Sequence, residues 1–184
     1  MKGIIIYSGK YGATKQYAEW LGEELALPVT TSDSINGNLL QEYDFLLLGS
    51  SVYIGKMKIK KWLKKNLSFI IGKKLFLFQV AGAPPEEKEK RETYNRASIP
   101  GEILNSIESF FLPGRMIMKN LSWGDRFLLK IGARLSKDSK EKKSMLTDYD
   151  GVNKASIAVI AAGINSYLRR KTIGESQYTE TVQP

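Results

Sequence analysis

The sequence predicts an α/β domain, a doubly wound five-stranded parallel sheet with helices on both faces. Three observations carry this. Continuous apolar runs of strand length recur, among them Ile4-Ile5-Ile6 and Phe45-Leu46-Leu47-Leu48. Strands covered on both faces read this way, whereas half-solvated strands alternate. Segments with helical spacing of apolar residues separate the runs, as crossovers between parallel strands require. Loops of small residues follow the strand ends, where such a sheet places its ligand.

Strand 1 is Lys2–Tyr7, and it runs into Ser8-Gly9-Lys10-Tyr11-Gly12-Ala13-Thr14. Helix 1 is expected at about Thr14–Ala26, with Tyr17, Ala18, Leu21 and Leu25 on one face. A short strand follows near Leu27–Thr31, then a short helix or turn over Ser34–Gln41. Tyr43-Asp44 introduces the next strand, Phe45–Gly49. Met57–Phe69 reads as a helix with Ile59, Trp62, Leu63 and Leu67 inward and its lysines outward. Lys73–Val80 is the fourth strand, Ala81–Glu92 a Gly/Pro loop and charge run, and Tyr94–Ser109 a helix. Phe110–Met118 is the fifth strand, and Asp150–Leu168 is the last helix, packing through Val152, Ile157, Ile160 and Ile164. The domain is expected to span residues 1–170. Residues 171–184 form a polar tail, frayed over Gln177–Pro184.

Five strands with helical crossovers match the order 2-1-3-4-5, the flavodoxin-like arrangement. Its ligand lies beside the switch point, at the carboxyl ends of strands 1 and 3. Ser8–Thr14 follows strand 1, and its passage into a helix makes a phosphate site. The first N–H groups of a helix are unpaired and carry partial positive charge. Hydroxyls at Ser8 and Thr14 can donate to phosphate oxygens, and glycine lets the backbone approach. Ser8, Lys10, Tyr11, Gly12, Ala13 and Thr14 are therefore candidates to hold a nucleotide-like cofactor. Ser50, Ser51, Val52, Tyr53, Ile54 and Gly55 follow strand 3, and Ala81, Gly82 and Ala83 follow strand 4. Both loops suit a flat ring lying against backbone, although small residues also serve plain tight turns. Tyr53 is the candidate to stack on the ring, while Lys10 either pairs with phosphate or is solvated.

The 184 residues contain neither cysteine nor histidine. That removes disulfides, thiolate nucleophiles, histidine bases and nearly all zinc chemistry, so no metal site is expected. No side chain stands out as a general acid or base, and no catalytic residue is assigned. Absence of cysteine fits a reducing, cytoplasmic compartment. Lys2-Gly3 leads straight into a strand, so no targeting leader is expected. No run reaches the roughly 18 to 20 apolar residues that span a bilayer.

The net charge of +9 is unevenly placed. Lys56–Lys74 holds eight lysines and no acid, and Arg115–Lys143 holds nine basic residues against three acids. Such zones fit an anionic partner, and lysine-rich solvated helices would carry the same charge. Residues 119–146 form an insert between strand 5 and the last helix, too long for a structureless loop. Within it Asp125–Ser136 reads as a helix with an apolar stripe of Phe127, Leu128, Ile131 and Leu135. Arg126, Lys130 and Arg134 repeat every four residues, and Trp123 precedes them. This pattern suits a helix lying on an anionic membrane, on the inner face of the cell membrane. A helix packed on its own domain with a solvated basic face would read similarly. Nucleic acid is disfavoured, because no aromatics interleave with the basic residues as stacking platforms.

Several of these stretches resemble the flavodoxin-domain family that includes menaquinone-dependent protoporphyrinogen IX dehydrogenase. The resemblance covers about residues 2–165. Tyr7-Ser8 with Gly12-x-Thr14 resembles its phosphate loop, and Leu48-Gly49-Ser50-Ser51-Val52 with Gly55 its second flavin loop. Residues 87–93 resemble its charged stretch after strand 4. Trp123-Gly124-Asp125-Arg126-Phe127-Leu128-Leu129-Lys130 is similar to its aromatic-x-Asp-Arg-Phe run, and Thr147-Asp148-Tyr149 also matches. Tyr53-Ile54 stands where those enzymes tend to carry Arg-Tyr, and Gly82 with Pro84-Pro85 replaces bulkier residues. The resemblance implies an FMN-binding oxidoreductase that passes electrons from substrate through FMN to a membrane quinone. An FMN electron carrier docking a protein partner is the other reading.

Overall fold

The computed structural model describes residues 1–53, 55–82, 88–136 and 139–180. Its strands are β1 (Gly3–Ser8), β2 (Val29–Thr31), β3 (Phe45–Tyr53), β4 (Lys56–Met57), β5 (Lys74–Ala81), β6 (Ile107–Pro113), β7 (Arg115–Met116) and β8 (Tyr149–Asp150). The helices are α1 (Ala13–Leu25), α2 (Lys60–Lys65), α3 (Leu67–Ile70), α4 (Lys88–Ser98), α5 (Gly101–Leu104), α6 (Trp123–Leu135), α7 (Ser139–Leu146) and α8 (Ala158–Glu180). The central sheet runs β2-β1-β3-β5-β6, with β4 folded back on the end of β3. The pairs along this path are all parallel. With β4 set aside, this is the expected five-stranded order.

Alternate residues of each strand feed two cores. Ile4, Ile6, Leu46, Leu48, Leu75 and Leu77 face one side, against Ile59, Trp62, Leu63 and Ile103. Ile5, Phe45, Leu47, Phe76 and Phe78 face the other, against Tyr17, Ala18 and Leu21 of α1 and Ile160 and Ile164 of α8. Period-two geometry thus explains why these strands are apolar throughout, since both faces are buried. Edge-on contacts among Phe45, Phe76 and Tyr167, with centroids 5.8–6.2 Å apart, pin α8 to the sheet.

Several boundaries differ from expectation. β3 does not end at Gly49: Ser50 and Ser51 pair with Gln79 and Val80 of β5, and Val52 pairs with Met57. The ladder overrides the turn preference of serines. Met57–Phe69 is divided, because Lys56–Met57 is strand and the helix breaks at Asn66, whose amide donates to the Trp62 carbonyl at 2.9 Å. Tyr94–Ser109 is not one helix. Pro100 cannot continue α4 and constrains the residue before it, so α4 ends at Ser98 and β6 begins at Ile107. β6 stops at Pro113 rather than Met118, and Asp150–Asn153 precedes the last helix as strand and cap, with α8 running on to Glu180.

The insert leaves the sheet and returns at one place. β7 pairs antiparallel with β8, and the Gly151 N–H donates to the Gly114 carbonyl at 3.0 Å. Met118 N–H donates to Asp148 at 2.7 Å, one step further out. α6 and α7 lie beyond this clip. Gly132 lets them approach, since a Cβ there would stand 3.3 Å from the Met145 sulfur.

Gly49 lies opposite Phe78, and a Cβ at Gly49 would stand 2.2 Å from the Phe78 ring. Gly49→Ala is expected to destabilise the chain by about 1–3 kcal/mol through overpacking. Gly49→Ala with Phe78→Leu should cost less than the sum of the two single changes, because both act on one contact. Urea midpoints at unchanged slope check this.

Candidate functional site

The carboxyl ends of β1, β3 and β5 frame a narrow slot of about 80 Å³. Lys10 and Tyr11 line it from the first loop, Ala13 and Thr14 from the start of α1, Ser51, Val52 and Tyr53 from β3, and Ala81 and Gly82 from the end of β5 and just beyond it. These nine were expected. Val80, Gly114 and Arg115 complete the wall and were not. Pro113-Gly114 is a turn signal, but an expected strand running on to Met118 hid it.

The first loop has the features that an anion needs. Gly12 adopts φ +86°, a conformation that favours glycine, and no side chain caps the start of α1. Thr14 is buried, and a Cβ on Gly9 would stand 2.9 Å from its Cβ, so the loop wraps closely around it. The first N–H groups of α1 thus have no side-chain cap among the described residues.

The serine pair on β3 divides its roles. Ser50 is fully buried, and its hydroxyl donates to the Ser51 carbonyl and accepts from the Ile59 N–H. It therefore braces the β3–β4 hairpin and does not line the slot. Ser51 does line it, and its buried hydroxyl has no partner among the described residues. A buried hydroxyl without a partner is costly unless something else bonds it. Ser8, Gly12 and Gly55 stand outside the lining, Gly55 at φ +69° in the turn after β3. Ile54 and Ala83 lie outside the described residues.

One carboxylate gathers the mouth of the slot. Asp125, in the first turn of α6, accepts from Lys10 Nζ at 2.5 Å and from the hydroxyls of Tyr11 and Tyr53. Its side chain is 8% exposed. Ser122 caps α6 by accepting from the Asp125 N–H at 3.2 Å. The Tyr11 hydroxyl also accepts from the Ser122 N–H at 3.3 Å. Lys10 stands 4.6 Å over the Tyr53 ring. The Asp125 hydrogen bond holds the Lys10 ammonium above its ordinary value of 10.5, so Lys10 stays charged at neutral pH. The sequence presented Asp125 only as part of a motif. Its partners lie more than seventy positions away, and no local pattern announces them.

Arg115 is the second cation of the wall. Its Nε donates to Asp150 at 2.7 Å and its Nη2 to Gln16 of α1 at 3.2 Å. Arg115, and then the Val152 N–H, hold the Asp150 carboxyl below its ordinary value of 3.8.

The outer face of α6 carries the expected apolar stripe, and it is uncovered. Trp123 is 77% exposed and stacks on Phe127, with centroids 5.7 Å apart. Leu128, Ile131 and Leu135 are exposed beside them. Arg126, Lys130 and Arg134 are exposed as well, while Asp125 and Ala133 face inward. Among the described residues no helix is long and apolar enough to cross a membrane.

The chain is similar to several known proteins. A family model described as "Flavodoxin domain" matches residues 4–143. The chain is 22% identical over 164 residues to protoporphyrinogen IX dehydrogenase (quinone) of Escherichia coli strain K12, covering 83% of this chain and 91% of that one. It is 31% identical over 87 residues to an uncharacterized protein of Methanocaldococcus jannaschii, covering 46% of this chain and 57% of that protein. The match thus spans little more than half of the archaeal relative. Among solved structures, a flavodoxin from the domain Archaea is similar with a TM-score of 0.44 at 17% identity, over 90% of this chain and 99% of that one. A Lactobacillus acidophilus flavoprotein in complex with FMN has a TM-score of 0.44 at 17% identity, over 61% and 92%.

Asp150 gives this region a pH signature. A carboxyl whose folded value is lowered contributes stability in full above its unfolded value and loses it as pH falls through the folded one. Asp150→Asn is therefore expected to lower the thermal midpoint at pH 7. The gap should hold down to about pH 3.8 and close at more acid pH. Thermal melts of both proteins across pH check this.

Proposed function

The chain belongs to the flavodoxin-domain family, whose cofactor is FMN, and from that premise we propose an FMN-dependent oxidoreductase that passes electrons from a reduced substrate to a quinone at a membrane surface. The observation that carries the reading is the uncapped, glycine-led start of α1 opening onto a slot at the switch point of the sheet. Bound FMN supplies the hydride and one-electron chemistry that no side chain here provides. The N–H groups after Gly12 and the Thr14 hydroxyl would hold its phosphate. Ser51, Val52 and Tyr53 on one side and Ala81 and Gly82 on the other would flank its ring. The unpartnered Ser51 hydroxyl fits a polar ligand atom. Backbone N–H groups near Gly82 or Gly55 would meet negative charge on the ring.

The substrate and acceptor are read from similarity and from the surface of α6. Similarity to a quinone-linked protoporphyrinogen IX dehydrogenase makes protoporphyrinogen IX the first substrate to test and a quinone the first acceptor. The exposed stripe of α6 with Arg126, Lys130 and Arg134 favours peripheral binding to an anionic membrane at its inner face. Aromatic and aliphatic side chains would enter the interface while the cations meet acidic headgroups.

FMN titration of the purified chain, followed by flavin fluorescence, tests the premise. Saturable quenching is expected, weakened about tenfold or more by Thr14→Ala, since a hydrogen bond to a charged group is worth about 1.5–3 kcal/mol. Absence of binding would sink the flavin reading.

Flotation with vesicles tests the membrane. The chain should float with anionic and not with neutral vesicles, and Trp123→Ala with Phe127→Ala should reduce the bound fraction at least tenfold, given about 1.5–3 kcal/mol per buried side chain. An FMN-loaded chain that ignores anionic vesicles would favour the carrier reading, with a protein partner on α6.

A further inference from the structure

The slot measures about 80 Å³, against the roughly 300–1,000 Å³ common for small-molecule pockets. Its walls divide into a fixed part and a part tied to the insert. Ala13 and Thr14 are fixed in the first turn of α1, and Val80 and Ala81 in the β5 ladder. Lys10, Tyr11 and Tyr53 are different, because all three end on Asp125 of α6.

We propose that α6 is a gate over the cofactor slot, latched by Asp125 as a built-in anion on Lys10, Tyr11 and Tyr53. This rests on the flavin reading above and adds how the site opens. The latch is local and ionic, whereas little else of α6 is buried: Asp125 and Ala133 are its buried residues. The clip formed by β7, β8, Gly114 and Gly151 pins the base of the insert, so α6 can swing without disturbing the sheet. Chemistry sets what trips it. An ammonium and two phenol hydroxyls are donors for an oxyanion, and an anionic ligand competes with the carboxylate for them. When the gate opens, Asp125 leaves with its helix into water, where its charge is solvated, and the three donors turn to the slot. A protein whose competent state is only partly populated binds with its affinity reduced by that fraction.

Two measurements on the intact chain test the gate, each on wild type, Asp125→Asn and Tyr53→Phe. Hydrogen exchange of the cofactor-free proteins reads the latch, and stopped-flow flavin fluorescence reads FMN association. Asp125→Asn keeps the shape and removes the charge. It should speed exchange over residues 123–135 at least tenfold, leave β1, β3 and β5 protected as in wild type, and bind FMN at least tenfold faster. Tyr53→Phe should change both in the same direction by less. Unchanged exchange in α6 overturns the latch, whatever flavin does. Faster exchange with unchanged or slower FMN association overturns the gate and makes Asp125 a positioning residue for the donors. If no protein binds FMN, the flavin reading falls and the gate with it, while the exchange data still report the latch.

Discussion

Parallel strands cannot be joined by tight hairpins, and much of this molecule follows from that constraint. Each return to the start of the next strand needs a crossover, so α1 and the helices after β3 and β5 are obligatory. They cover both faces and force the strands to be apolar throughout. The same rule gathers the carboxyl ends of β1, β3 and β5 at one edge of the sheet. One loop and two strand ends from distant parts of the sequence thereby share one slot, and its chemistry is decided by which side chains they present.

At that edge the charges are balanced in pairs. Lys10 is met by Asp125 and Arg115 by Asp150, and each acid arrives from the insert or its return strand. The insert is thus an electrostatic partner of the slot as well as a neighbour. Its two faces do different work. The inner face spends its one carboxylate on the slot, and the outer face keeps its aromatic and cationic side chains in solvent. A chain with a net charge of +9 therefore places acidic groups at the mouth of its own site while leaving α6 basic outside.

Sheet and core were legible because burial on two faces leaves a strong mark. Ile4-Ile5-Ile6 and Leu46-Leu47-Leu48 admit few other readings, and Tyr17, Ala18 and Leu21 fall on one helical face. What misled was local chemistry overruled by distant pairing. Ser50 and Ser51 read as loop residues, yet β5 supplies the ladder that extends them. Pro100 was in plain view, but the apolar residues beyond it kept a helical spacing that concealed the turn from α5 to β6. Asp125 was the least legible. A carboxylate between a glycine and an arginine has no pattern of its own, and its meaning comes from Lys10, Tyr11 and Tyr53 in space.

The β7–β8 clip has a consequence for how such a chain can be rebuilt. Gly114 and Gly151 meet across a backbone hydrogen bond, so the thirty-odd residues between β7 and β8 enter and leave through a single doorway. Closing that excursion costs entropy, and the clip makes the closure independent of what lies beyond it. The segment is a cassette. Exchanging it for a short turn leaves a minimal sheet with its slot open to water, and grafting it onto another sheet of this kind carries the acid and the exposed face across together.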